Sequence, residues 1–379
     1  MRFALVAGEV SGDILGGSLI RALRARFPDA TFYGVAGPRM VEAGCEAIES
    51  IEALSVMGLA EVLKDLPRLL QLRSSLARRF AADKPDCYIG IDAPDFNLAV
   101  EKHLRAAGIR TVHYVSPTVW AWRQGRVKTI SRAADLVLCL FPFEPKFYAA
   151  HHVKAAYVGH PLADELDDSV TQAEARRALG LAERQDTVAI LPGSRHGELK
   201  YLAEPFAQTA AWLVQRKPEL QFITPIAKPK LKAEMERAIA RHAPDLRWQL
   251  VDGQSREAMR AADVVFAASG TVTLECLLLG RPMVVGYQAS WLSAFIMLDL
   301  GLLKVKYVSL PNLLSAEPVV PELLRDKAKP EFFGPEVLRL LDNAGARERQ
   351  LSQFSAVRKE LRRGAAERAA DAIAELMKK

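Results

Sequence analysis

Phe3-Ala4-Leu5-Val6-Ala7-Gly8-Glu9-Val10-Ser11-Gly12-Asp13 opens the chain with an apolar run that stops at a glycine turn. The run is too short for a signal peptide and reads as a first buried strand. Working outward, further strand candidates lie at 31–35, 87–91, 110–115, 136–140 and 155–158. Helix candidates at 13–26, 38–44, 60–82, 96–107, 124–133 and 144–150 alternate with them. Such alternation marks βαβ units and a parallel sheet with helices on both faces.

The pattern ends at Gly159-His160-Pro161-Leu162, and the acid-rich stretch 163–171 reads as an exposed linker. It then restarts. Strands are expected at 187–191, 220–224, 247–251, 263–267 and 282–286, with helices at 172–178, 200–216, 229–242, 255–261 and 271–279. The expected fold is therefore α/β, with two Rossmann-like doubly wound domains at 1–165 and 166–340. Ligands of such sheets bind beyond the carboxyl ends of the strands, so the two sets of ends are expected to face a cleft. The charged helical segment 341–379 either crosses back onto the first domain or exchanges between protomers of a homodimer.

Bulk properties agree with this. A chain of 379 residues is too long for one ordinary core. Half the residues are hydrophobic and a quarter are charged, the profile of a folded protein. A net charge of +6 favours an anionic partner without choosing among phosphorylated substrate, acidic lipid and nucleic acid. Cys45, Cys87, Cys139 and Cys276 lie far apart and read as buried free thiols in a reducing compartment. No apolar run approaches the roughly 20 residues of a spanning helix, so a cytoplasmic location is expected.

Six stretches carry chemistry. The turn Gly8-Glu9-Val10-Ser11-Gly12-Asp13 joins a strand to a helix, where small residues and free N–H groups admit a ligand; the alternative is an ordinary structural turn with an N-cap. It is neither a GxGxxG nor a Walker turn. Gly90-Ile91-Asp92-Ala93-Pro94-Asp95-Phe96-Asn97 places two carboxylates at a strand end. Asp92, nearer the strand, is assigned the proton-accepting role, and Asp95 the capping of the next helix. Around Ser116, Trp120, Trp122 and Arg123, aromatic faces and cations suit a sugar phosphate, or else core packing beside solvated cations.

In the second half, Leu191-Pro192-Gly193-Ser194-Arg195, followed by Glu198, suits a diphosphate at a helix start. Ala268-Ser269-Gly270-Thr271-Val272-Thr273-Leu274-Glu275 offers hydroxyls to phosphate oxygens, and Glu275 a carboxylate to a ribose. Asn312, within Val308-Ser309-Leu310-Pro311-Asn312-Leu313-Leu314, is assigned to ligand contact, with a turn role as the alternative. Segment 59–82 is an amphipathic pattern with Lys64, Arg68, Arg73, Arg78 and Arg79 interleaved among leucines, and segment 289–306 is apolar with Lys304 and Lys306 flanking it. They read as membrane-surface or acyl-binding segments, or as ordinary core helices.

The stretches from Gly8 to Asp13, Gly90 to Asn97, Leu191 to Arg195 and Val308 to Leu314, with Val35-Ala36-Gly37-Pro38-Arg39-Met40, Val56-Met57-Gly58, His113-Tyr114-Val115-Ser116-Pro117 and Trp120-Ala121-Trp122-Arg123, resemble the motifs of the bacterial lipid-A-disaccharide synthase family, in the family's order over most of the chain. Val10 stands where the family often has threonine. The resemblance implies a GT-B hexosyltransferase acting at the cytoplasmic surface of the inner membrane. It implies that UDP-2,3-diacylglucosamine and 2,3-diacylglucosamine 1-phosphate (lipid X) are joined into a β(1→6) disaccharide 1-phosphate with release of UDP. It further implies that no metal or other cofactor takes part. Residues Gly193, Ser194, Arg195, Ser269, Gly270, Thr271, Thr273, Glu275 and Asn312 are then expected on the UDP side. Ser11, Gly12, Ser116, Trp120 and Arg123 are expected on the acceptor side, with Asp92 as base and Glu9 as a second candidate. Other UDP-sugar enzymes of this fold, such as a 2-epimerase, leave the two apolar segments unexplained. A nucleic-acid-binding module needs basic and aromatic residues on an open face rather than acids at strand ends, so no nucleic-acid partner is expected.

Overall fold

The computed structural model describes residues 1–54, 59–121, 124–167, 169–288 and 306–378. Val56-Met57-Gly58, Trp122, Arg123 and the expected lipid-facing stretch 289–305 lie outside them.

The first sheet is wholly parallel, with the order β3-β2-β1-β4-β5-β6-β7. Its strands are β1 (Arg2–Ala7), β2 (Thr31–Ala36), β3 (Cys45–Ser50), β4 (Cys87–Ile91), β5 (Arg110–Tyr114), β6 (Leu136–Cys139) and β7 (Ala155–Tyr157). Helices α1 (Val10–Arg26), α2 (Pro38–Glu42), α3 (Leu59–Asp83), α4 (Pro94–Ala106), α5 (Val127–Ala133), α6 (Glu144–Ala149) and α7 (Pro161–Glu165) follow in chain order. Phe3 through Ala7 are fully buried, so β1 is a continuous apolar run as befits a central parallel strand. Strand order reverses between β1 and β4, whose register pairs Ala7 with Ile91. This is the topological switch point, the usual place for a ligand.

The second sheet repeats the plan, with the order β10-β9-β8-β11-β12-β13. It comprises β8 (Thr187–Leu191), β9 (Gln221–Ile226), β10 (Trp248–Asp252), β11 (Val264–Ala268), β12 (Met283–Tyr287) and β13 (Glu322–Leu324). Its helices are α8 (Gln172–Ala178), α9 (His196–Val214), α10 (Pro229–His242), α11 (Ser255–Ala261), α12 (Thr271–Leu278), α13 (Leu310–Leu314), α14 (Pro330–Asp342) and α15 (Ala344–Leu361). Here the order reverses between β8 and β11.

Contacts divide the chain into Met1–Asp164 with Glu360–Lys379, and Glu165–Lys359. Residues 341–359 thus stay with the second unit, and only the last stretch returns to the first. There α16 (Ala365–Met377) adds Ala369, Ala370 and Ile373 to the core that contains Phe3, Leu5 and Tyr88. Arg26 of α1 ties it down through Glu367 and Asp371, both at 2.6 Å.

Asp13, part of the first glycine turn, has a structural task. Its buried carboxylate accepts from the backbone N–H groups of Gly37 and Met40 at 3.0 Å and Arg39 at 2.9 Å, filling the open donors at the start of α2. Gly17 permits the approach, since a Cβ there would meet the Arg39 carbonyl oxygen at 2.7 Å.

Candidate functional site

In the second unit, the turns that follow β8 and β11 leave adjacent strands and line one recess of about 420 Å³. Gly193, Ser194 and Arg195 form one wall; Ser269, Gly270, Thr271 and Glu275 form another. Gly193 has a φ of +125°, and a Cβ there would come within 2.5 Å of the Glu198 side chain. Glycine therefore lets Glu198 fold beneath the turn. The Glu198 carboxylate accepts from the N–H of Ser194 at 2.8 Å and of Arg195 at 3.2 Å, and pairs with the Arg195 guanidinium at 3.0 Å. Backbone donors at a helix start plus an arginine form an anion cradle, here filled by the protein's own carboxylate.

Glu275 lies on the same face as Thr271 and meets Arg256 at 3.5 Å. A third wall was not foreseen: Gly253, Gln254 and Ser255, beyond β10. Gly253 and Gln254 both have positive φ, 66° and 54°. The available signal was the Asp252-Gly253 pair directly after a strand, a common turn former.

Two residues assigned to the UDP side face elsewhere. Thr273 is fully buried and its hydroxyl donates to the Gly270 carbonyl at 2.8 Å, holding the turn rather than lining the recess. Asn312 is buried with its amide fully engaged. It donates to the Val320 carbonyl at 2.9 Å and Glu322 at 2.8 Å, and accepts from the N–H groups of Val319 and Val320 at 2.8 and 2.9 Å. It closes a loop onto β13. Ser269 lines the recess, although its hydroxyl donates to the Val308 carbonyl at 2.8 Å.

In the first unit, Glu9 is the exposed N-cap residue of α1 at the end of β1, and Asp92 leaves the neighbouring β4. Asp92 lines a recess of about 360 Å³ with Ser116, Pro117, Asp95 and Arg126. Asp95 is not the cap of α4. Ala93 occupies the N-cap position, while the exposed Asp95 carboxylate pairs with Arg126. Among the described residues Arg126 is thus the cation that lines this recess, where the sequence pointed to Arg123.

The acceptor-side assignments divide. Ser11 is exposed on the first turn of α1. Gly12 instead faces inward, where a Cβ would meet Ala7 at 3.4 Å and the Ile91 carbonyl at 3.6 Å; it packs the helix on the switch point. Ser116 lines the recess but turns its hydroxyl to the Tyr148 hydroxyl at 3.0 Å. Trp120 is no free stacking platform. Its indole N–H donates to the buried Glu144 carboxylate at 3.0 Å, and its ring lies edge-on to Phe143 with centroids 4.8 Å apart. Burial pushes the Glu144 carboxyl up to about 7 despite bonds from Phe141, Ser116 and Trp120 that favour its charged form. The wholly buried His113–Glu101 pair, 2.7 Å apart, lies behind this region. Burial raises the Glu101 carboxyl, and His113 opposes the shift.

Among the described residues no three His, Cys, Asp or Glu side chains gather as a metal site, and no helix is long and apolar enough to cross a membrane. On α3, Leu66 and Leu70 are exposed, each at 42%.

A family model described as lipid-A-disaccharide synthetase matches residues 3–376. A lipid-A-disaccharide synthase from Chromohalobacter salexigens is 50% identical over 377 residues, covering 100% of this chain and 97% of its own. One from Xanthomonas campestris pv. campestris is 50% identical over 378 residues, covering 99% and 86%. Among solved structures, UDP-GlcNAc 2-epimerase from Neisseria meningitidis superposes with a TM-score of 0.64 at 14% identity over 100% of both chains. The kitacinnamycin glycosyltransferase superposes at 0.61 with 17% identity, covering 99% and 98%. These structural likenesses show the fold, two Rossmann-like domains of the GT-B class.

Proposed function

The chain belongs to the lipid-A-disaccharide synthase family of glycosyltransferases, and from that premise we propose the reaction it performs. The donor is UDP-2,3-diacylglucosamine and the acceptor is lipid X. The products are the β(1→6) disaccharide 1-phosphate and UDP. An α-linked donor giving a β-linked product inverts at the anomeric carbon, so the acceptor hydroxyl attacks from the face opposite UDP. A base must take its proton as the new bond forms.

Asp92 is that base, with Glu9 from the adjoining strand end as the second candidate. The observation that carries this is the pairing of Ala7 with Ile91, which sends both acids out of neighbouring strands at the switch point of their sheet. The departing diphosphate is held in the second unit by the N–H groups of Ser194 and Arg195, the Arg195 guanidinium and the hydroxyl of Thr271. Donors at a helix start meet such charge once the Glu198 carboxylate, which occupies them in this structure, gives way to the diphosphate. Glu275 takes the ribose hydroxyls. The charge is met by protein donors, with no metal ion.

The enzyme acts at the cytoplasmic surface of the inner membrane, where its acylated substrates reside. The exposed Leu66 and Leu70, with Arg68 on the same helix, support shallow contact with an anionic lipid surface.

Purified protein incubated in detergent with UDP-2,3-diacylglucosamine and lipid X, with and without chelator, tests this. Mass spectrometry should find disaccharide and UDP in both samples. UDP binding without disaccharide would redirect the assignment to another UDP-sugar reaction, and loss of product with chelator would refute the metal-free step.

A further inference from the structure

Asp92 and Ala93, consecutive residues beyond β4, have φ values of 52° and 44°. Neither is glycine. A left-handed conformation at such residues persists only where the surroundings over-determine it. The candidate base therefore stands on a strained turn, and something must hold that turn.

Asn97 on α4 does so. It is fully buried, and its Nδ2 donates to the Asp92 carbonyl at 2.8 Å. The same nitrogen reaches the Val6 carbonyl at 3.3 Å and the Ile91 carbonyl at 3.4 Å. Its Oδ1 accepts from the Tyr88 hydroxyl at 2.8 Å. The orientation of the amide is forced, because carbonyl oxygens only accept and the nitrogen must face them. On the other side of Asp92, its N–H donates to the Tyr114 carbonyl at 2.8 Å. Gly90 makes room for the arrangement, since a Cβ there would lie 2.8 Å from the Asn97 Cβ.

One amide thus grips the ends of β1 and β4, the two strands that deliver Glu9 and Asp92, together with the Asp92 peptide itself. We propose that Asn97 is a positioning residue for glycosyl transfer, holding the Asp92 carboxylate in its left-handed turn toward the acceptor recess, with Tyr88 fixing the Asn97 amide. This rests on Asp92 being the base. If Asn97 merely satisfied buried carbonyls, its loss would lower stability and leave the kinetics of each folded molecule unchanged.

The test uses the full chain with Asn97→Ala, Tyr88→Phe and Asp92→Asn, singly and as the two doubles with Asp92→Asn. Turnover and KM for both substrates are measured, with near-ultraviolet circular dichroism and the thermal melt of the first unit counting the molecules in which that unit is folded. Turnover should fall about 10- to 100-fold in Asn97→Ala, and by a smaller factor in Tyr88→Phe, with KM and UDP affinity within about twofold of wild type. Both losses should disappear in the Asp92→Asn background, because they act through the missing carboxylate. Losses of equal size with and without the carboxylate would overturn the proposal while leaving Asp92 as base. Unchanged turnover per folded molecule would also overturn it. Wild-type turnover in Asp92→Asn alone would remove the base assignment and the proposal together. Should Asn97→Ala not fold, the isosteric Tyr88→Phe pair decides. If Asp92→Asn turns over too slowly to read, the acid limb of the Tyr88→Phe pH profile decides: a shifted limb supports the proposal and an unshifted one overturns it.

Discussion

Glu144 and His160 share Phe141 as a neighbour: its N–H donates to the Glu144 carboxylate at 2.9 Å, and its ring packs on the His160 imidazole with centroids 5.5 Å apart. Both groups are buried, and burial moves them in opposite directions, the carboxyl up to about 7 and the imidazole down to about 4. From the ordinary glutamate value up to about 7, the folded chain keeps a proton that the unfolded chain has released, so stability falls as pH rises. From about 4 up to the ordinary histidine value, the unfolded chain holds a proton that the folded chain lacks, so stability rises with pH.

The two trends oppose each other over most of one window, so single substitutions should expose them. Glu144→Gln should reveal the rise between pH 4 and 6.5, and His160→Phe the fall between pH 4.5 and 7. Each trend should reach about 3 kcal/mol, since a proton held or released across one pH interval is worth about 1.4 kcal/mol. Urea melts of the first unit's transition across this range would show it. A Glu144→Gln curve parallel to wild type at every pH would mean that Glu144 does not titrate there.

Asp92→Asn should cut turnover about 100- to 10,000-fold, the usual contribution of a general base. The side chain is half-buried at the rim of its recess, so the melting temperature should stay within a few degrees. Glu9→Gln, made in parallel, separates the candidates: the larger loss identifies the base.

Removing Arg195 and removing the charge of Glu198 should act in opposite directions on UDP. Arg195→Ala should weaken binding about tenfold through loss of a charge-assisted contact. Glu198→Gln should tighten it severalfold, because a neutral amide competes less well than a carboxylate for the Ser194 and Arg195 donors. Calorimetric titration reads both. Weaker binding in Glu198→Gln would mean that the carboxylate supports Arg195 instead of competing for the site.

Asp13→Ala should destabilise the first unit by about 3 kcal/mol, because two buried N–H groups and one partly buried one lose their acceptor. UDP affinity should not change, since the proposed UDP residues lie in the second unit. Thermal melts and UDP titration of the same protein check both halves.

The strands that build the two switch points were legible because they are largely apolar runs that stop at turn-forming residues, glycine after β1, β8 and β11 and Asp92-Ala93-Pro94 after β4. The edge strands β3 and β13 were not. Cys45–Ser50 and Glu322–Leu324 are half-exposed and carry glutamates, so neither shows an apolar run. The strand-end turns were equally legible as ligand-facing, but periodicity does not reveal which hydroxyl or amide the fold uses for itself. Thr273, Asn312 and Trp120 have the right chemistry for a ligand. Their partners, Gly270, the β13 region and Glu144, become apparent only once the chain is folded. Gln254 was missed for the converse reason, since its position depends on backbone torsions rather than on its side chain.

The return of Glu360–Lys379 to the first unit makes the second an insertion, entered near residue 165 and left near residue 359. During synthesis on a ribosome, the first half emerges early yet lacks the helix that supplies Ala369, Ala370 and Ile373 to its core. The inserted half has its whole sequence available sooner. The part of the protein made first is therefore completed last, and a nascent chain stalled short of α16 would carry a finished second unit beside a first unit still open along α1.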